Sequence, residues 1–387
     1  MNKLQIKNRK LRLIFIIGLL LMLITIYKKS YIHEYEIIQL IDGLSLKLKK
    51  NNIYDYNNFK YNFIKKICNK PWLALYTSNI YFVNISLGGL LFLIIQYISK
   101  SKWSLGLIKI MESIISFFPF GGMNILILII LNFLGINNIF YLNFLNKKNI
   151  ISFMKKLIIS FIYIYGINFF IKRICEKEKD LKKKRKYSVL FVIFFSLIFP
   201  FIGWNWIMFF HLDWISTIFN WYLIVTNLVL GISLISLLSI CLNKKQVFLN
   251  FKKKHLHNLS NYLFTASFLW CYFLFAQFLL IWYSNIPEET LFYYNKILNL
   301  KNLDILLIII NFIIPLLFLI KKKLKKNKKI IIFLCLNILI GNYLNIYNLI
   351  TSDNVGIMDG LGMEEISSFI FIGSLFLLKI KNFLIKK

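Results

Sequence analysis

The side chains able to carry a proton through this chain are few and widely spaced. Glu112 lies near the start of an apolar run, LIKIMESIISFFPFGG. An ionisable group in hydrocarbon costs several kcal/mol unless it is paired or hydrated, so its position allows two readings: a proton-carrying carboxylate, or an interfacial residue solvated at a helix end. His211 and Asp213 stand two residues apart in WNWIMFFHLDWISTIFNWY, followed by Ser216 and Thr217. A neutral imidazole beside a carboxylate can exchange protons near neutral pH, and Trp204, Trp206, Trp214 and Trp221 would restrict water there. The alternative is an interfacial aromatic belt with Asp213 as a helix cap. Gln277 has an amide that must find partners at mid-membrane depth, whereas Thr265, Ser267 and Tyr272 of the same run either line a hydrated path or pack. Glu364 and Glu365 open the last apolar run, where helix capping and proton entry compete.

Redox and metal chemistry have less to work with. Cys68, Cys175, Cys241, Cys271 and Cys335 are scattered singly, without the spacings that zinc or iron–sulfur ligation needs. No CxxCH haem-attachment motif is present and only four histidines are available. We therefore expect no catalytic, metal or cofactor-binding residue in this chain, and any electron carrier to belong to another subunit. A quinone would need an apolar slot ending in a hydrogen-bonding side chain, and no motif identifies one.

The elements that position these residues follow from composition. With 58% hydrophobic residues, 17% aromatics and only five prolines, the chain reads as an all-α, polytopic membrane helix bundle. Apolar runs of about 17 to 25 residues centre on Leu19, Gly88, Leu126, Tyr163, Ser196, Leu230, Tyr272, Asn311, Ile340 and Phe371, which gives ten expected spans. The fourth, from about Phe153, is the weakest because Lys155 and Lys156 sit at its start. Residues 1–27 read as an uncleaved N-terminal anchor, since Lys28, Lys29 and Ser30 follow the apolar run in place of a small-residue cleavage site. Residues 28–73 read as a long first extracytoplasmic loop, and residues 74–380 as the helical core. No internal repeat is visible.

Net charge is +32, yet the basic residues fall in short runs between apolar spans and not on one face. Nucleic-acid binding is thereby disfavoured, and membrane topology explains the charge. With a cytoplasmic N-terminus and ten spans, inner segments hold 33 Lys and Arg against 15 outside, so both termini are expected in the cytoplasm. Lys182 to Lys186 and Lys321 to Lys329 read first as topology anchors, with anionic lipid or a peripheral subunit as the alternative for Lys182 to Lys186. The loop Ser352 to Met363 carries Asp353 and Asp359 without a lysine, so it is either a solvated loop or a face for a positive partner.

Lysine outnumbers arginine 44 to 4, and Ile, Asn, Phe and Tyr fill most neutral positions, as in a genome rich in A and T. Against that drift the segment His255 to Thr290 keeps two of the three alanines and ends in IWYSNIPEET. This tail, together with IYFVNISLGGLLFLIIQYISKSKW from Ile80, STIFNWY from Ser216 and GLGMEEISSFIFIGSLFLL from Gly360, resembles the F subunit of bacterial alternative complex III, a membrane subunit of the NrfD/PsrC type. The likeness covers most of residues 70 to 380. It implies ten spans, with two related four-helix bundles over approximately spans two to five and six to nine. It also implies membership of a respiratory quinol:cytochrome c oxidoreductase in the bacterial cytoplasmic membrane. Iron–sulfur, haem c and a second NrfD-like membrane subunit would be partners, the clearest quinol site would belong to that sister subunit, and this chain would supply scaffold and a proton path. The family's Asp-x-His-Trp-x-Ser-Thr pattern reads here His211-Leu212-Asp213-Trp214-Ile215-Ser216-Thr217, with Asp and His exchanged, which puts a residue-by-residue transfer of role in doubt. The rival readings are a stand-alone secondary transporter and a purely structural membrane subunit.

Overall fold

The computed structural model describes residues 2–30, 53–134, 136–137, 147–177, 180–210, 214, 216–244, 251–287, 289–290, 303–351 and 362–386. They form an all-helical bundle. Eleven helices are used below: α1 (Asn2–Ser30), α2 (Ile53–Ile98), α3 (Ile108–Ile115), α4 (Phe118–Phe133), α5 (Lys147–Ile171), α6 (Leu181–Trp206), α7 (Ile218–Lys244), α8 (Lys253–Ser284), α9 (Leu303–Leu319), α10 (Lys328–Thr351) and α11 (Met363–Lys386). Among the described residues nine stretches are long and apolar enough to cross a membrane, with α3 and α4 sharing one of them. The tenth expected span is the shorter α9, 17 residues and so about 25 Å long. That is less than the roughly 30 Å hydrocarbon core. The chain is a multi-pass membrane protein.

Proline marks where the helices change. Pro119 lacks an amide donor, and the stretch Trp103–Phe133 breaks just before it: α3 stops at Ile115, and the amides of Phe120 and Gly121 turn back to the Phe117 carbonyl as α4 begins. Pro71 is carried inside α2, whose helix starts 20 residues earlier than the expected end of the first loop at residue 73. The amides of α8 end on Asn285, which takes the left-handed conformation and returns its N–H to the Ile281 carbonyl at 3.1 Å. Asp180 caps α6 by accepting the Lys182 amide at 3.0 Å.

Two helices depart from α geometry. A π segment, Lys172–Lys177, continues α5, and another, Ile309–Ile313, interrupts α9 just ahead of Pro315. Each π turn leaves one residue out of step, a distortion that persists where packing holds it.

α2 is the spine of the bundle. In its most apolar 18 residues 89% are buried, and the helix is packed by α7, α10, α11, α3, α4 and α6. Its closest neighbour is α7, with glycine against glycine at Gly88 and Gly231. α1 is peripheral at 11% buried, and Gly18 lets its backbone reach that of Phe371 on α11.

Candidate functional site

Among the described residues two carboxylates are buried, one toward each end of the membrane stretch of α2, Asn69–Ile98. Glu365 is 3% exposed and opens α11 beside Glu364. The amide of Gly362 donates to Glu365 Oε2 at 2.7 Å. A Cβ built on Gly362 would stand 2.5 Å from Glu364 Oε2, 3.3 Å from Glu365 Oε2 and 3.4 Å from Lys70 Nζ, so two carboxylates and one ammonium converge on that glycine. Lys70, placed by the sequence in a loop, is instead 6% exposed and sits one residue before Pro71 in α2. From this cluster polar groups step into the bundle. Tyr343 donates to the Glu365 carbonyl at 3.5 Å, Ser78 meets the Tyr343 hydroxyl at 3.5 Å and the Ser368 hydroxyl at 2.9 Å, and Ser368 reaches the Ala74 carbonyl at 2.9 Å.

Glu112 lies at the other end, 6% exposed within α3. Tyr97, near the C-terminal end of α2, lies within electrostatic range of it. Tyr97 also accepts from two cations of the 182–186 run: Lys184 Nζ reaches its hydroxyl at 3.5 Å and Arg185 Nε its carbonyl at 3.4 Å. Part of that basic run is thus tied to the bundle. Tyr97 and Lys70 are 27 residues apart on one helix, about 40 Å, so Glu112 and Glu365 lie toward opposite ends of that stretch.

Between the two ends the polar side chains sit on α2 and α7. Asn84 and Asn227 line a small cavity with Tyr163, Phe199 and Trp206, where the Tyr163 hydroxyl and both amide atoms of Asn227 are buried without a hydrogen-bond partner. Orphaned polar atoms at such depth are costly and rare. Ser233, Ser236 and Ser239 continue down α7, each donating to its own helix, at 2.8 Å. From Asn227 to Ser239 is about 18 Å. Polar side chains therefore recur along α2 and α7 between the two carboxylates.

The other expected residues separate. Gln277 is 7% exposed on α8. Thr217 is exposed ahead of α7. Thr265 is exposed and bonds back to the Asn261 carbonyl at 3.1 Å, and Tyr272 is 57% exposed, so neither lines an internal path. His211 and Asp213 lie outside the described residues. Around them Trp206 is buried and donates to Ser160 at 2.9 Å, Trp204 donates to the Ser216 carbonyl at 3.2 Å, and Trp221 is 58% exposed. Glu112, Glu364 and Glu365 were legible by type. Lys70, Tyr97, Tyr343, Tyr163 and Asn227 were not, since Tyr and Asn are common throughout the chain and lysine is commoner still.

A second polar seam runs along α10. Asn342 Nδ2 donates to Asn311 Oδ1 at 3.1 Å within the π turn of α9, Tyr222 donates to Asn345 Oδ1 at 2.8 Å, and Asn348 Nδ2 to Asp304 at 2.9 Å. Interhelical side-chain hydrogen bonds of this kind hold membrane helices in register.

Among the described residues no group of three or more His, Cys, Asp or Glu could hold a metal ion. Comparison with known proteins gives no matching family model and no matching curated relative.

Proposed function

We propose that this chain is an integral subunit of a bacterial respiratory quinol:cytochrome c, or quinol:acceptor, oxidoreductase, supplying scaffold and a proton path and carrying no redox centre itself. The observation that supports it most is the pair of buried carboxylates, Glu112 and Glu365, toward opposite ends of the membrane stretch of the central helix with polar side chains at intervals between them. The segmental resemblance to the F subunit of alternative complex III supplies the class of complex. In this reading iron–sulfur, haem c and NrfD-like subunits are partners, the protein resides in the bacterial cytoplasmic membrane with both termini inside, and the Glu112 end faces the cytoplasm. The charge distribution supports that orientation.

Isolation of the tagged chain from native membranes in mild detergent tests the assignment. Haem- and iron–sulfur-bearing proteins should co-purify in fixed ratio. In that complex Glu112→Gln and Glu365→Gln, made separately, should each lower proton release per electron. Unchanged stoichiometry in both would remove the proton path, and a colourless protein recovered alone would remove the respiratory assignment.

The π turn in α9, where Asn311 is fully buried and paired to Asn342, favours one further reading: a secondary transporter built on a distorted helix. Transport by the purified chain in liposomes without partners would select it.

A further inference from the structure

The segment joining α9 to α10 folds onto the beginning of α8. Ser260 Oγ donates to the Lys325 carbonyl at 3.0 Å, Lys325 Nζ donates to Asn261 Oδ1 at 2.9 Å, and the same ammonium lies over the Phe264 ring. This pins the turn Leu324–Lys326 against a helix whose N-cap is Lys252, followed by Lys253 and Lys254, with no acidic residue in its first turn. Lys322, Lys325 and Lys326 lie within electrostatic range of the His257 ring, and Lys252 and Lys254 of His255. Among the described residues no carboxylate offsets them at either ring. His257 Nδ1 is buried without a hydrogen-bond partner. Cations at a helix N-terminus oppose the helix dipole, so a collar of this kind is electrostatically unbalanced.

We propose that this collar binds the phosphate of an anionic phospholipid, with Lys322 and Lys326 as its donors. Several features select a lipid over an acidic protein. The collar lies where the polar start of α8 gives way to its apolar run, the depth of headgroups. Trp103 and Tyr262 stack there with ring centroids 5.9 Å apart, an aromatic pair of the interfacial kind. Beyond it Phe268 on α8, Leu317 on α9 and Ile320 just after α9 are more than half exposed, a surface that acyl chains would cover and an acidic peptide would not. Basic pockets between membrane helices on the cytoplasmic side recognise anionic headgroups in this manner.

The test uses the intact chain, in its complex if one is isolated, purified in neutral detergent. Bound lipid is counted by native mass spectrometry and thermal stability is followed as phosphatidylglycerol, phosphatidylcholine or inorganic phosphate is added. Phosphatidylglycerol should bind with a stoichiometry near one at the tightest site and raise the melting temperature, while phosphatidylcholine should not. Lys322→Gln with Lys326→Gln, which spares the Lys325 bond to Asn261, should weaken that binding about thirtyfold, the effect of two juxtamembrane cations. Lys182→Gln with Lys186→Gln, in the other basic run, should leave it unchanged. Equal loss from both double variants would overturn the site in favour of general surface charge. An equal shift with inorganic phosphate would make it a free-anion site. Stabilisation by polyglutamate but not by phosphatidylglycerol would transfer it to an acidic protein.

Discussion

The contact between α2 and α7 allows a substitution effect to be worked from distances. A Cβ on Gly88 would stand 1.7 Å from the Asn227 carbonyl oxygen and 2.9 Å from the Gly231 nitrogen, and a Cβ on Gly231 would meet the Gly88 carbonyl carbon at 2.3 Å. These are backbone atoms, which no rotamer change can move aside. Restoring ordinary contact requires the helices to part by roughly 1.5 Å. A gap of that size forfeits at least half the dispersion energy of every atom pair across the crossing. For roughly thirty atom pairs at ~0.1–0.2 kcal/mol each, half of the attraction is about 1.5–3 kcal/mol, comparable with measured overpacking costs of about 1–3 kcal/mol. Gly88→Ala and Gly231→Ala should each destabilise the detergent-solubilised protein by about 2 kcal/mol. Gly106, where an added Cβ meets nothing within 4 Å, provides the control. Thermal scanning with monodispersity as the readout compares the three. If Gly88→Ala melts with Gly106→Ala, the close crossing is not what holds the bundle together.

Lys70→Met should cost about 3 kcal/mol or more by leaving the buried Glu365 without its cation, and adding Glu365→Gln should recover part of it; a double-mutant cycle read by thermal unfolding measures the coupling. Tyr222→Phe removes the 2.8 Å bond to Asn345 and should cost about 1 kcal/mol, whereas an effect below about 0.3 kcal/mol would mean that Asn345 finds another partner. Lys156 lies over the Phe209 ring with a buried ammonium that has no hydrogen-bond partner, so Lys156→Met should be neutral or stabilising in the same assay; a loss above about 1 kcal/mol would assign the ammonium a structural role.

Much of the fold was legible because membrane spans announce themselves as long apolar runs. Each of the ten centres read from the sequence falls within an observed helix, including Tyr163 in the run weakened by Lys155 and Lys156. What hydropathy could not show is helix outside the hydrocarbon. α2 runs back to Ile53 through IYDYNNFKYNFIKK, and α5 begins at Lys147, both in polar sequence whose helicity comes from continuation of an already formed helix. The π turn at Ile309–Ile313 is equally silent, since INFIIP has the composition of any apolar run and only the packing of Asn311 against Gly341 and Asn342 distinguishes it.

The site shows the same division between type and pairing. Glutamate in an apolar run is rare enough to be noticed, so Glu112, Glu364 and Glu365 stood out. Their partners did not, because Lys70 is 295 residues from Glu365 and Tyr97 is one tyrosine among 21. Burial explains why these partners gather where they do. In the most apolar 18 residues of α2, 89% are buried, against 11% for α1, which needs only to be apolar to satisfy the bilayer. A helix surrounded by protein can keep Ser78, Asn79, Asn84 and Gln96 at low exposure because neighbouring helices or bound water take the place of solvent. The two carboxylates therefore adjoin the helix on which polar groups cost least, and a conducting path through this bundle, if the Glu112 and Glu365 variants reveal one, must follow α2 and its contact with α7.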